Sequence, residues 1–131
     1  MEDSVFTKII RGEIPCEKIY EDDYVIAFLD IRPLTPGHAL VVPKEQVSHF
    51  DEMGETDYQA LFAIVQKVAR RIKSVLKPER VCIRIEGFDV PHTHVHVYPC
   101  NSPEDFYGDK DRMQKDPDHQ ALAQMAKKLA F

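Results

Sequence analysis

The chain has 131 residues, 44% of them hydrophobic and 30% charged, with a formal net charge of −5, which is the composition of a globular protein with one hydrophobic core. The negative charge argues against long nucleic acids as partners, since basic surfaces hold these, and no apolar run approaches the ~20 residues of a membrane helix. The cysteines, Cys16, Cys82 and Cys100, are widely spaced without a CxxC pair, which favours reduced thiols in the cytoplasm. The chain does not begin with the basic and apolar segments of a signal peptide. We therefore expect one cytoplasmic domain over residues 1–131.

The first half of the chain predicts one short helix and three strands. Apolar residues recur at helical spacing over about residues 4–11, where Ser4 suits the N-cap position. Three short runs rich in β-branched and aromatic residues follow, EKIYED, YVIAFLD and HALVVP. Pro36 and Gly37 suit the two central positions of a type II turn, which places His38 at the start of the third strand.

The second half predicts a long helix, two more strands and a terminal helix. A continuous apolar stripe at helical spacing covers residues 56–77, and Thr56 and Gln59 have the spacing of a capping box. VCIRIEG and HTHVHVY predict the fourth and fifth strands, residues 101–115 a coiled tail, and residues 117–129 a helix. Strands grouped around one long helix, without alternating β-α-β units, indicate an α+β fold with an antiparallel sheet of about five strands.

The fifth predicted strand carries three of the six histidines, at every second position. Side chains alternate along a strand, so His92, His94 and His96 share one face while the residues between them share the other. A single buried histidine is usually structural, but packing alone does not require three in register. A row of imidazoles can instead bind a metal ion or perform catalysis.

The metal and catalytic interpretations differ in geometry. His92 and His96 lie about 13 Å apart along an extended strand, so all three imidazoles cannot reach one ion without a bend, although two of them with His38 or a carboxylate remain an alternative. In the catalytic interpretation, a hydrogen-bond acceptor fixes the tautomer of the middle histidine, which then attacks a phosphoryl group. Its neighbours stabilise the developing charge or protonate the leaving group.

These residues resemble the histidine-triad (HIT) superfamily, whose signature is His-φ-His-φ-His-φ-φ, where φ is an apolar residue. The segment from His92 to Tyr98, HTHVHVY, matches it with Thr93 as the one polar φ position. FTKIIRGEIP, YEDDYVIAFLDI and PGHALVVPK also match in the family's order, so the resemblance covers roughly residues 4–99. It implies the HIT fold and a homodimer in which two sheets join across the subunit interface.

The resemblance also implies roles for particular residues. His94 would attack the α-phosphate of a nucleotide conjugate and form a nucleotidyl-histidine, while His96 contacts that phosphate or assists the leaving group. His92 and His38 would complete the polar network that orients His94. Asp30 would hold the ribose hydroxyls, which suits a carboxylate because it only accepts hydrogen bonds. The apolar positions that would hold the base are Phe6, Ile9, Phe28 and Ile31, and core packing is an equal alternative for Phe28.

Two positions depart from the family pattern. Many relatives have a Gly-Gln-Ser/Thr-Val segment before the histidines, where this chain has the short connection EGFDVPH with Asp89 at the serine position. Because a carboxylate repels a phosphate, we expect phosphate contact there through the amide of Val90, or Asp89 pointing away. Zinc-binding relatives have a Cys-x-x-Cys pair where this chain has Ser4 and Thr7, so we expect no structural zinc and no cofactor.

The sequence therefore predicts an enzyme that hydrolyses nucleotide conjugates or transfers their nucleotidyl group, with purine nucleoside phosphoramidates as the expected substrates. A dinucleoside polyphosphate hydrolase and a nucleotide-binding module with little turnover are the alternatives. The expected partners are a purine nucleotide or its conjugate and a second copy of the chain, with no long nucleic acid and no membrane.

Overall fold

The computed structural model describes residues 2–108 and 110–131, and its centre is a five-stranded antiparallel sheet. The strands, in the spatial order β1-β2-β3-β5-β4, are β1 (Lys18–Glu21), β2 (Val25–Leu29), β3 (Ala39–Pro43), β4 (Arg80–Arg84) and β5 (Val95–Cys100). The helices are α1 (Val5–Ile10), α2 (Glu55–Leu76), α3 (Pro103–Tyr107) and α4 (His119–Leu129), with short 3₁₀ helices at Phe50–Glu52 and Arg112–Gln114. The predicted α+β fold is confirmed. In the described part of the chain, no helix is both long and apolar enough to cross a bilayer.

The two faces of the sheet have different coverings. Helices α2 and α4 cover one face, and the strand residues buried beneath them are Val25, Ala27, Leu29, Val95 and Val97, together with others of the same cluster. Helix α1 covers part of the other face, where the buried residues are Phe6, Ile26, Phe28, Leu40 and Val42. Because successive side chains of a strand point to opposite faces, His96 of β5 lies on the α1 side.

The turn before β3 has the predicted type II geometry. The backbone N–H of His38 donates to the carbonyl of Thr35 at 3.1 Å, and Gly37 has φ +100°. The backbone angle favours glycine, and a Cβ atom at Gly37 would lie 2.5 Å from Leu76 Cδ1, so any other residue would also displace that side chain of α2. The turn delivers the His38 side chain to the start of β3.

The helix ends confirm one predicted cap and correct another. The Ser4 hydroxyl accepts the backbone N–H of Thr7 at 3.0 Å, as expected for the N-cap of α1. The predicted capping box of α2 is wrong, because the helix begins one residue earlier, at Glu55, after an N-cap glycine without a side-chain acceptor. Gln59 donates instead to the Glu55 carboxylate at 3.3 Å.

The chain on either side of β5 differs from the prediction. The strand begins only at Val95, because the residues before it bond to a loop rather than to the sheet: the N–H and hydroxyl of Thr93 both donate to the carbonyl of Val47 at 2.7 Å. His92 and His94 therefore lie on irregular backbone. The tail predicted as coil contains α3 and a 3₁₀ helix, and it folds back toward the loop after β2.

Candidate active site

A cavity of about 290 Å³ lies on the α1 side of the sheet. Its walls come from α1, the loop after β2, the EGFDVP connection and the 3₁₀ helix of the tail. Nine of the predicted site residues line it, namely Phe6, Ile9, Phe28, Asp30, Ile31, Asp89, Val90, His94 and His96. The predicted residues His38 and His92 lie behind this wall and contact it through hydrogen bonds.

His94 is held with one nitrogen toward the protein and the other toward the cavity. Its side chain is 4% exposed, and its Nδ1 lies 2.7 Å from the main-chain carbonyl of His92. A carbonyl can only accept, so Nδ1 carries the proton and Nε2 keeps its lone pair. The ring of Phe6 packs edge-on against this imidazole with centroids 4.8 Å apart, which fixes its orientation. His94 therefore presents the lone pair of Nε2 to the cavity.

His96 has the opposite tautomer, set by a relay of hydrogen bonds. The backbone N–H of Leu34 donates to His38 Nδ1 at 3.0 Å, so the proton of a neutral His38 is on Nε2. That nitrogen lies 2.9 Å from His96 Nδ1 and donates to it. The proton of His96 is therefore on Nε2, so this residue offers an N–H donor beside the lone pair of His94.

His92 acts through its main chain rather than by entering the cavity. Its Nε2 donates to the carbonyl of Pro43 at 2.8 Å, and its Nδ1 accepts from the Ser4 hydroxyl at 2.7 Å. Gln46 Oε1 accepts from the Ser4 N–H at 2.9 Å and from the Thr7 hydroxyl at 2.6 Å. The positions where zinc-binding relatives have cysteines thus form a hydrogen-bonded cluster that anchors His92.

Burial keeps the supporting histidines neutral. It lowers the pKa of His96 to about 4, and a second proton on His94 would act in the same direction. Burial lowers the pKa of His38 well below the usual value. Burial also lowers the pKa of His92, although its bond to a carbonyl opposes the shift. Neutral imidazoles near pH 7 agree with the tautomers that the hydrogen bonds require.

Asp30 lies at the inner end of the cavity with the tail beside it. Its Oδ1 accepts the N–H of Arg32 at 2.9 Å, and its Oδ2 lies 3.5 Å from Arg112 Nη1 and 3.7 Å from His38 Nε2. Burial raises the pKa of Asp30, while the Arg32 amide and the Arg112 charge oppose that effect. Arg112 also donates to the Arg32 carbonyl, so it ties the tail to the loop after β2.

Arg112 and Met113 are cavity residues that sequence reasoning missed. They lie in the tail predicted as coil, beyond the segment that resembles the HIT superfamily. No motif or spacing around them indicates a site. Their place in the wall results from the return of the chain over the loop after β2.

Phe28 packs in the core and also borders the cavity. Its ring is buried and packs on Phe6 with centroids 5.7 Å apart, as a core residue does. The same side chain also lines the cavity, as do Ile9 and Ile31. Phe28 therefore lies both in the core and on the cavity wall, and its contact with a base stays a prediction.

Two exposed carboxylates of the EGFDVP connection lie at the cavity. Asp89 and Val90 both line the wall. Glu86, which sequence reasoning did not select, also lines the wall. Its carboxylate lies within 4.8 Å of nitrogens of His94 and His96.

Some of these side chains are close enough together to bind a metal ion. Among the described residues, two groups have donor atoms within 4.8 Å of one another: Asp30, His38 and His96, and Glu86, His94 and His96. In the first group the hydrogen bond between His38 and His96 already uses both facing nitrogens. The second group has two imidazoles and a carboxylate, a common zinc set, so it is the arrangement that the metal alternative requires.

Comparison with known proteins agrees with the fold and the motif. A family model described as the HIT domain matches residues 11–102. The chain is 40% identical over 106 residues to an uncharacterized HIT-like protein of Borreliella burgdorferi, covering 76% of each. It is 37% identical over 109 residues to the adenosine 5′-monophosphoramidase of Schizosaccharomyces pombe, covering 79% of this chain and 77% of that protein. A HIT-like protein involved in cell-cycle regulation from Bartonella henselae has a crystal structure that superposes with a TM-score of 0.82 at 30% identity, covering 97% of this chain and 94% of that one.

Proposed function

The chain belongs to the histidine-triad (HIT) family, and on this premise we propose that it cleaves purine nucleoside phosphoramidates or related adenylyl conjugates at the α-phosphate. The observation that carries the proposal is the pair of opposite tautomers. His94 offers a lone pair and His96 an N–H donor, both toward one cavity. An electrophilic phosphorus with a negatively charged oxygen needs these two groups side by side.

The proposed first step transfers the nucleotidyl group to the protein. The base lies against Phe6 and Phe28, the ribose hydroxyls donate to Asp30, and the α-phosphorus faces His94 Nε2. The bond between Nε2 and phosphorus forms as the bond to the leaving group breaks, and a leaving amine takes its proton from water. The main-chain carbonyl of His92 accepts from Nδ1 and stabilises the positive charge that develops on the imidazole.

In the proposed second step, water attacks the phosphorus of the nucleotidyl-histidine. The bond to His94 breaks, the nucleoside monophosphate leaves, and the proton of the water passes to solvent. His96 donates from Nε2 to a phosphoryl oxygen in both steps. Because its pKa is about 4, it acts as a neutral hydrogen-bond donor rather than as a source of protons near neutral pH.

The experiment that tests this proposal measures hydrolysis of adenosine 5′-phosphoramidate in excess EDTA. His94→Ala should lower kcat by at least about 10³-fold, because no other cavity group replaces the nucleophile, while binding of AMP changes little. His119→Ala, which alters an exposed histidine on α4, should keep wild-type turnover and serves as the matched control.

Two outcomes would favour other functions. If EDTA stops the wild type and zinc restores it, the metal site of Glu86, His94 and His96 carries the chemistry. If wild type and variant both bind AMP and neither hydrolyses the substrate, the protein is a nucleotide-binding module.

We further propose that the protein is a homodimer of the cytoplasm. Strand β4 lies at the edge of the sheet, and its Ile83 side chain is 45% exposed, so a second sheet can join there. The three cysteines are free thiols, as a reducing compartment requires. A mass of about 30 kDa by light scattering, twice the 15.1 kDa of one chain, is the expected result, and a monomer mass would contradict it.

A further inference from the structure

Two exposed acidic residues lie on the wall of the cavity. Glu86 and Asp89 line it, both are exposed, and the Glu86 carboxylate lies within 4.8 Å of nitrogens of His94 and His96. The backbone N–H of Phe88 donates to Glu86 Oε2 at 2.8 Å and holds this carboxylate in place. A phosphate bound at the histidines therefore has the Glu86 carboxylate beside it, with Asp89 on the same wall.

Three arginines of the described residues lie around the cavity, and none of them pairs with these carboxylates. Arg32 lines the wall and donates from Nε to the carbonyl of Lys115 at 3.2 Å. Arg112 lies against Asp30 and donates to the carbonyl of Arg32, so its charge is engaged at the inner end of the cavity. Arg84 donates to the carbonyl of Phe106 at 2.5 Å and stacks on that ring, 5.1 Å from its centroid, so it is engaged by α3. Within residues 2–108 and 110–131, neither Glu86 nor Asp89 has a cationic partner within 4.0 Å.

The leaving group must pass these carboxylates. The apolar wall and Asp30 take the nucleoside in the enclosed part of the cavity, and the phosphorus faces His94. The remaining substituent of the phosphorus then extends toward solvent, where Glu86 and Asp89 are exposed. A carboxylate attracts a cation and repels an anion at such distances, and its effect is moderate because water screens it.

We propose that Glu86 and Asp89 select conjugates whose leaving group is an amine with a second, positively charged amino group. The inference rests on the proposed function and narrows its substrate class. The bond between phosphorus and the leaving nitrogen breaks as His94 binds phosphorus, that nitrogen takes a proton from water, and the distant ammonium keeps its charge beside the carboxylates. A polyphosphate leaving group, which is anionic, is disfavoured at the same place, so the dinucleoside polyphosphate hydrolase is the less favoured alternative.

The test uses three adenosine 5′-phosphoramidates that differ only at the far end of the leaving amine: putrescine is cationic, butylamine neutral and γ-aminobutyrate anionic. We expect kcat/KM to fall in that order in the wild type, by about threefold to fivefold for each step. Glu86→Gln and Asp89→Asn should each reduce the spread, and the double variant should remove most of it. High salt should reduce it as well.

Glu79→Gln is the matched control. Glu79 is exposed and precedes β4, whereas Glu86 follows it, so the control makes the same change of net charge at the other end of the strand. The order of the three substrates should be unchanged in this variant. Loss of the order in Glu79→Gln would mean that the net charge of the protein, and not the cavity, selects the substrate.

A binding measurement separates this inference from the proposed function. The affinities of the three conjugates are measured for His94→Ala with and without Glu86→Gln. If the wild type hydrolyses none of the conjugates but their affinities follow the charge through Glu86, the selection holds and the proposed enzyme is wrong. If the wild type hydrolyses all three at equal rates, or the order persists in the double variant, the enzyme stands and the selection is overturned.

Discussion

The two faces of the sheet are made by the same strands, but only one of them is closed. Under α2 and α4 the side chains of Val95 and Val97 are fully buried in an apolar cluster. On the α1 side, His94 and His96 of the same stretch are almost as buried, yet they border a cavity of about 290 Å³. Alternation places Val95 and Val97 of β5 on the closed face and His96 on the open one, and the irregular backbone before the strand brings His94 to the same side.

The open face remains stable because its polar groups are satisfied. In the described residues, no buried side-chain nitrogen or oxygen lacks a hydrogen-bond partner. His38 and His92 have a hydrogen-bond partner on both nitrogens, and His96 has one on Nδ1. Burial therefore keeps these imidazoles neutral without leaving a buried donor unpaired. The closed face is stabilised by apolar burial, whereas the open face combines an apolar cluster with hydrogen-bonded histidines.

The largest expected effect is on the free energy of unfolding, when a buried leucine is shortened to alanine on each face in turn. Leu61→Ala, under α2, should lower the free energy of unfolding by about 3–5 kcal/mol, because Leu61 is 0% exposed and its loss leaves a closed void. Leu40→Ala should cost about 2 kcal/mol, since Leu40 already borders the cavity and its loss only enlarges that space. Urea unfolding of both variants measures the difference. Equal losses would show that the faces do not differ in packing.

Low pH should lower the free energy of unfolding through the buried histidines of the open face. The pKa of His96 is about 4 in the folded protein and near 6.5 in the unfolded chain, so the unfolded chain binds more protons between these values. The contribution of His96 to the free energy of unfolding is therefore fully present above pH 6.5 and is lost as the pH drops toward 4. The loss is on the order of 3 kcal/mol. His38 and His92 act in the same direction.

The check is the unfolding free energy as a function of pH for the wild type and His96→Asn. The variant should lose part of the decline between pH 6.5 and 4, whereas His49→Asn, which changes an exposed histidine, should not. If His96→Asn declines as steeply as the wild type, the buried imidazole is not the cause.

The smallest expected effect is the difference in unfolding free energy between removing the serine N-cap of α1 and removing that of α3. Ser4→Ala removes the cap of α1 and also the donor to His92 Nδ1, so it should cost about 1–2 kcal/mol of unfolding free energy. Ser102→Ala removes only the cap of α3 and should cost about 0.5–1 kcal/mol. Thermal or urea unfolding of both measures the difference. Equal costs would mean that the bond to His92 contributes nothing.

Much of the fold and part of the site follow from local patterns. The first four strands, the long helix and the turn before His38 were predicted correctly because alternation, helical periodicity and a Pro-Gly pair are properties of neighbouring residues. The fifth strand begins three residues later than predicted, because Thr93 bonds to the distant loop at Val47. The histidine signature identified the family for the same reason. The predicted cap at Thr56 was wrong because the first residue of a helix depends on where the preceding loop turns, which propensity does not determine.

The sequence by itself determined the order of elements, the family and the cluster of histidines at the start of β5. Only the tertiary structure decided which nitrogen of each histidine carries the proton, since the partners of His92 and His96 lie 88 and 58 residues away, at Ser4 and His38. It also brought Arg112 to Asp30 across 82 residues and placed Glu86 beside the histidines. A local pattern sets the direction of a side chain, but its charge state and its neighbours depend on contacts between distant segments of the chain.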